Sequence, residues 1–183
     1  MDHFHEEVVV KHKRTMDEIA YYVTAVIMVF AALMGMMGFT SSISGIAVNG
    51  FAAVLPTLLI SLVNIGLAVA LFLFRDRLRT EYEYTFTNGA LDFAQVYNNR
   101  KRKSLGSLDV RKVDAFGPVS GSAFQRYISM PNVKQSRWFL NRDGNLYFFY
   151  FQKDSNKRVI VLEPTEELAR MIETYLPFGA LQK

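Results

Sequence analysis

The chain has 183 residues, no cysteine, three histidines and a formal charge of +4 at neutral pH. Without cysteine, disulfides, thiolate nucleophiles and thiolate metal sites are excluded. The mean hydropathy of +0.09 averages two unlike parts: residues 21–74 contain no Asp, Glu, Lys or Arg, whereas 18 basic and 12 acidic residues follow Phe74.

Residues 1–20 form a polar N-terminal segment with His3, His5 and His12. A His-x-His pair binds a metal only weakly without further ligands, so these read as mobile surface histidines. Val8, Val9, Val10 and Ile19 allow a short interfacial helix. Two uncharged apolar runs follow, 21–39 and 51–74. At about 1.5 Å per residue they make helices of roughly 28 and 36 Å, against a hydrocarbon core of about 30 Å. The expected result is an antiparallel transmembrane hairpin with an external loop over 40–50. The first run is long for the apolar stretch of a cleaved signal peptide, and no small-x-small cleavage pattern follows it. Lys11, Lys13 and Arg14 precede the hairpin, and Arg75, Arg77 and Arg79 follow it in a basic linker over 75–80, whereas the loop is uncharged. The positive-inside rule therefore puts both termini in the cytoplasm.

Within the spans, Gly35 follows Ala31 by four residues, and Ala70 follows Gly66 by four. Small residues at this spacing let helix backbones approach closely, either within the hairpin or between copies. Asn64 is the one strongly polar side chain at mid-membrane and needs a partner there, with Thr24 of the first span as a candidate. Pro56 lies in the first turns of its helix, where a missing donor costs least. Spans with no ionisable residue do not make an ion pathway.

A soluble domain is expected over 81–183. Tyr82, Tyr84 and Phe86 alternate with polar residues, which is the pattern of a half-buried strand. Asn88-Gly89 suits a type I′ hairpin turn, and Leu91, Phe93, Gln95 and Tyr97 alternate on the return strand. Arg100, Lys101, Arg102 and Lys103 read as the next loop, and 105–113 as a third strand. Gly117, Pro118 and Gly121 interrupt the pattern; 124–130 reads as a short strand ended by Pro131. Further strands are expected at 137–140, 146–151 and 158–162, around a turn at 141–145. This is a meander of about seven short strands, as in a small barrel or sandwich. The period then returns to that of a helix. Thr165 is the N-cap, Glu166 and Glu167 suit the positive end of the dipole, and Pro177 stops the helix. Leu168, Met171, Ile172, Tyr175 and Leu176 share one face, which is placed to cover the open end of the barrel.

Antiparallel strands followed by one C-terminal helix resemble the pleckstrin-homology-like (PH-like) superfold. With a preceding two-span hairpin, the chain resembles a bacterial membrane-protein family that carries a domain of unknown function. The motifs are Glu81-Tyr82-Glu83-Tyr84-Thr85-Phe86-Thr87-Asn88-Gly89, the Leu91-Asp92-Phe93 strand and the basic run from Arg100. The resemblance implies a membrane hairpin followed by a mainly-β PH-like small barrel with one C-terminal helix, in a bacterial inner membrane. It brings no catalytic residue, because the superfold is used for binding and fold alone does not decide function.

After Phe74 there is no histidine and no cysteine. No histidine-assisted triad or histidine metal site can be built there, and no Gly-x-Gly-x-x-Gly or Walker loop occurs. A non-enzymatic adaptor without cofactor is therefore expected. The candidate contacts are Arg100–Lys103, for anionic lipid head groups, and Trp138, as a hot spot for a protein partner or for self-association. The bland alternatives are a solvated basic turn and a core tryptophan. The positive charge is also compatible with nucleic acid, but membrane tethering and the absence of a motif argue against it. The aromatic run from Tyr147 to Phe151 puts large rings on both faces of a strand, which is either central or sticky. Two other functional classes are a small-ligand or lipid-handling pocket inside the barrel and a structural subunit of a larger membrane complex.

Overall fold

The computed structural model describes residues 3–153 and 156–182. It divides into two compact units: a hairpin, Lys13–Arg79, and a domain made from the described residues of 1–12 together with 80–183.

The hairpin consists of α1 (Thr15–Asn49) and α2 (Phe51–Phe74), followed by a 3-10 turn, Arg75–Arg79. Helix α1 continues through the segment expected as an external loop. Thr40 and Ser44 return their hydroxyls to carbonyls one turn back, which lets polar residues stay helical. The reversal is made at Gly50, whose φ of +77° suits a residue without Cβ. Both helices are apolar around their circumference and mostly exposed, as a bilayer-facing surface requires.

The contact seam repeats every three and four residues. On α1 it runs through Ala31, Gly35, Gly38, Ser42 and Gly45; on α2 it is centred on the buried Val54, Ser61 and Ala68. That period is the coiled-coil seam, here built from small residues. A Cβ on Gly35 would lie 2.7 Å from Ile65 Cγ1 and 3.0 Å from its backbone nitrogen. Gly35 is thus a hairpin contact. Gly66 is not: it is exposed, and nothing lies within 4 Å of its Cβ position. Asn64 does not rely on Thr24 for its donor, because its Nδ2 reaches the Ile60 carbonyl of its own helix at 2.9 Å. At the domain end, Arg79 pairs with Glu18 and lies 3.8 Å over the Tyr21 ring, and Arg77 lies 4.5 Å over Phe74. Such arginine–aromatic contacts suit the water–hydrocarbon interface.

The domain has two four-stranded sheets. The first, in order β1-β2-β3-β4, is antiparallel: β1 (Phe4–Val9), β2 (Thr80–Thr87), β3 (Ala90–Tyr97) and β4 (Lys101–Asp109). Within the N-terminal segment, residues 15–20 are the first turns of α1, and Phe4–Val9 is not helical. It is the first strand of the domain, paired with β2 from Phe4↔Thr87 to Val9↔Tyr82, and the hairpin is inserted between these two neighbours. Consequently the domain does not begin at residue 81.

Asn88-Gly89 turns β2 into β3 with φ of 49° and 92°. Asn98 and Asn99, at 49° and 52°, make the same kind of turn between β3 and β4. That second turn comes early enough to draw Lys101–Lys103 out of the expected loop and into β4.

The second sheet has the order β5-β7-β8-β6, with β5 (Ala115–Pro118), β6 (Val133–Trp138), β7 (Tyr147–Lys153) and β8 (Asn156–Leu162). It is not a simple meander, because β6 pairs with β8, in parallel. Residues 122–128, expected partly as a strand, form helix α3 (Ser122–Ile128). This helix covers the outer face of the sheet: Phe124 and Tyr127 pack on Phe148, and Tyr127 stacks 4.5 Å from Tyr150. With Phe149 and Phe151 in the main core and Phe148 and Tyr150 under α3, strand β7 is buried on both faces. The aromatic run is therefore core.

Between the sheets lie Tyr84, Phe86, Phe93, Phe116, Phe149, Leu162 and others, each almost wholly buried. Helix α4 (Glu166–Tyr175) closes this core with Leu168 and Ile172, with Met171, Tyr175 and Leu176 packed against it. Thr165 caps its start by accepting from Leu168 N–H at 3.3 Å. The barrel space is filled by side chains, which favours surface binding over an internal pocket.

The unequal roles of the glycines give a test. Gly35→Ile should destabilise the hairpin by about 1–3 kcal/mol through overpacking, whereas Gly66→Ile should be near neutral. SDS titration of full-length protein in mixed micelles, followed by circular dichroism, measures both.

Candidate functional site

The basic run sits at the end of the first sheet where the chain passes into the hairpin. Thr80, which directly follows the Arg75–Arg79 turn, pairs with Tyr97, and Tyr97 pairs with Lys101. Arg100, Lys101, Arg102 and Lys103 are all exposed. Strand alternation divides them. Lys101 and Lys103 lie opposite Tyr97 and Gln95 on one face, whereas Arg102 lies opposite Val96 on the other and reaches Glu83 at 2.6 Å. The four charges are thus not one cluster; one is committed to an ion pair. Trp138 is elsewhere, at the end of β6. It is half-buried, its ring 4.6 Å from Phe93, and its carbonyl accepts the Tyr84 hydroxyl. That placement is packing against the core.

The polar groups that organise this end of the domain are ones sequence reasoning passed over. Asn141 is buried, and its carboxamide clamps the N-terminal segment. Nδ2 donates to the Val10 carbonyl at 2.9 Å, and Oδ1 accepts from His12 N–H at 2.7 Å. Glu163 holds Asn141 in turn, accepting from its backbone N–H at 3.0 Å and its Nδ2 at 2.8 Å. Glu7 ties β1 to the start of α4, accepting from Thr165 N–H at 3.2 Å and from its hydroxyl at 2.5 Å. At the far end of β1, His3 exchanges two bonds of 2.9 Å with Asn88 and lies 3.1 Å from the Tyr175 hydroxyl. The histidines are thus fixed by the domain. His5 lies 3.4 Å from Glu7, and His12 lies 3.8 Å from Glu163. Among the described residues, no group of three or more metal-ligating side chains is arranged to hold an ion.

Tyr84 joins these groups to the core. Its hydroxyl donates to Trp138 and accepts from Glu163 N–H at 3.3 Å. Burial pushes its pKa far up, more than the Glu163 N–H lowers it, so the phenol stays protonated.

A family model described as bacterial PH-like domain (DUF6106) matches residues 1–180. The chain belongs to this family. The match begins at residue 1, in keeping with a domain whose first strand precedes the hairpin. No protein with a curated description matches the chain, and no solved structure does. PH-like domains typically bind rather than catalyse, and this member has its candidate contacts on the outside of a filled core.

Tyr84→Phe should cost about 1–3 kcal/mol, because it leaves buried backbone groups without their partner. The raised pKa fixes the sign with pH. Tyr84 contributes fully below the unfolded tyrosine value of about 10, and its contribution falls as pH rises above that value. The stability gap between the wild-type protein and Y84F should therefore be constant near neutrality and narrow above pH about 10, as read by urea unfolding of the full chain.

Proposed function

We propose that this member of the PH-like family is a non-enzymatic, membrane-anchored binding module of the bacterial inner membrane. Both termini are cytoplasmic, and the basic end of the first sheet orients the domain against anionic lipid head groups while the remaining surface is available to a protein partner. The observation that carries this reading is the row Thr80–Tyr97–Lys101, which sets the basic run two strands away from the residue that joins the domain to α2. Neighbouring strands are about 4.8 Å apart.

Two spans already anchor the chain, so lipid contact is not needed for localisation. Its use is orientation. Arg100, Lys101 and Lys103, at about 1 kcal/mol each near an anionic surface, supply up to about 3 kcal/mol toward one orientation. Arg102, paired with Glu83, contributes less. The orientation across the membrane rests on the Lys and Arg flanks. The pairing of β1 with β2 supports the matching positions of the two termini, since both ends of the hairpin lead into one sheet.

The cysteine-free sequence provides a clean background for topology. Asn49→Cys at the hairpin tip should react with an impermeant maleimide on spheroplasts, whereas Ser107→Cys should react only after permeabilisation; the reverse pattern inverts the orientation. For lipid contact, a fluorophore on Ser107→Cys should show energy transfer to a headgroup-labelled lipid that is higher in anionic than in zwitterionic nanodiscs. Changing residues 100–103 to Gln should abolish that difference. Equal transfer in both lipids for the wild-type run removes the orienting role.

A further inference from the structure

The four outer strands of the two sheets do not manage their free edges alike. The C-terminal tail lies along β5: Phe116 N–H donates to Ala180 at 2.8 Å, and Gln182 N–H donates to Phe116 at 2.7 Å. Strand β4 carries Lys101 and Lys103, and β6 carries Lys134 and Arg137, all exposed. Such charges guard an edge against strand addition. Strand β1 has no Lys, Arg or Pro between Phe4 and Val9.

Its backbone direction is set by its partners. His3 exchanges both its bonds with Asn88 on the β2 side, so the odd-numbered residues of β1 turn their N–H and C=O groups toward β2. The even-numbered residues Phe4, Glu6, Val8 and Val10 turn theirs to the open side. Val10 already accepts a partner there: Asn141 bonds the Val10 carbonyl and the His12 N–H together, the two-point contact that a neighbouring strand makes. Beside this edge runs an open groove of about 460 Å³, lined by Glu7, Val8, His12, Asp143, Glu163 and Glu166 among others. Four of those six side chains are carboxylates; His5 lies 3.4 Å from Glu7, His12 3.9 Å from Asp143, and Arg170 3.4 Å from Glu166. On the outer face of the strand, Phe4 and Val8 are 61 % and 49 % exposed, with the exposed Glu6 between them, and Val8 also borders the groove.

We infer that the free edge of β1 and the acidic groove beside it form a docking site for an extended basic peptide segment, which joins the first sheet as a fifth strand. Strand addition supplies main-chain hydrogen bonds for affinity, and alternate side chains supply specificity. Side chains on the groove side meet carboxylates and are Lys or Arg. Those on the other side pass Phe4 and Val8 at the two ends of the strand, where they are apolar, and Glu6 between them. The ligand is therefore a segment in which basic and apolar residues alternate. Basic segments beside membrane spans are frequent on the cytoplasmic side of a bilayer, and the groove ends at His12, three residues before α1 begins, so another membrane protein presenting such a segment is the matching partner. This site does not depend on lipid contact by Lys101 and its neighbours.

The test uses the full chain in zwitterionic nanodiscs, which do not attract the probe themselves. The probe is a fluorescein-labelled synthetic peptide of alternating Lys and Val, read by anisotropy. Binding should saturate. It should weaken at least tenfold in Asp143→Lys/Glu166→Lys, both exposed positions whose exchange leaves the core untouched. It should weaken at least tenfold again when alternate peptide nitrogens are methylated, a change that blocks strand pairing and keeps every charge. No binding by the wild-type protein overturns the proposal. So does binding that ignores the two charge reversals, and so does binding that responds to charge but not to N-methylation, which describes an acidic patch without strand addition.

Discussion

The pairing of β1 with β2 is the contact on which the architecture depends. Six residues before the membrane hairpin lie in antiparallel register with residues after it, so the two spans are an insertion in a β-hairpin connection. Ordinarily a loop that long carries only an entropic cost, which grows slowly with length. Here the loop is two helices packed along a seam of small residues. Their contact along the seam closes the insertion from within. The Gly35–Ile65 approach and the β1–β2 ladder are thus two closures of the same insertion, one in each unit.

A strand recruited in this way needs more than ladder bonds, because β1 is short and lies at an edge. The domain supplies them at both ends: Asn88 and Tyr175 hold His3, Thr165 holds Glu7, and Asn141 holds Val10 and His12. Glu163 is a half-buried carboxylate whose hydrogen bonds are to Asn141 and Leu140 N–H groups. It stabilises the loop that carries the clamp, and through Glu163 N–H and Tyr84 the same loop is keyed to the centre of the core. Buried polar groups tied in series behave as a unit, and removing one member leaves the others without partners in a low-dielectric interior.

What the sequence makes legible follows from how local each signal is. The Asn88-Gly89 turn, the alternating Tyr82–Tyr84–Phe86 face and the capped helix after Thr165 are written within ten residues, and the structure has them where they are read. The two long apolar helices are equally plain as elements, because 24 apolar residues in a row are long enough to cross a bilayer, although α1 runs on through the expected loop. Long-range pairings are less visible. Phe4–Val9 has its partner more than seventy residues away, and Val8-Val9-Val10 beside a membrane span reads as interfacial helix. The Asn98–Asn99 turn lacks a glycine, which hid the strand that begins at Lys101. Helix α3 was obscured by Gly117, Pro118 and Gly121, yet Phe124, Tyr127 and Ile128 already show the i, i+3, i+4 spacing of a buried helical face. Asn141 lay in a run of turn residues, where its burial had no local sign.

The distribution of charge gives the fold a direction. The basic residues at 100–103 lie at the end of the first sheet that continues into α2, on β4. The carboxylates of Glu7, Asp143, Glu163 and Glu166 gather by the opposite edge strand, β1. The space between the two sheets is filled by aromatic and aliphatic side chains, and the histidines that β1 brings to the domain lie at its periphery, beside Glu7, Glu163 and Tyr175. The distinguishing features of its outside are charge and unpaired backbone. Guarding three outer strands by lysine, arginine or a covering tail, while leaving the fourth without such protection, is a selective use of the same device. The strand left open is the one whose chain runs directly into the first span, so anything that pairs with it engages the one element shared by the sheet and the membrane connection.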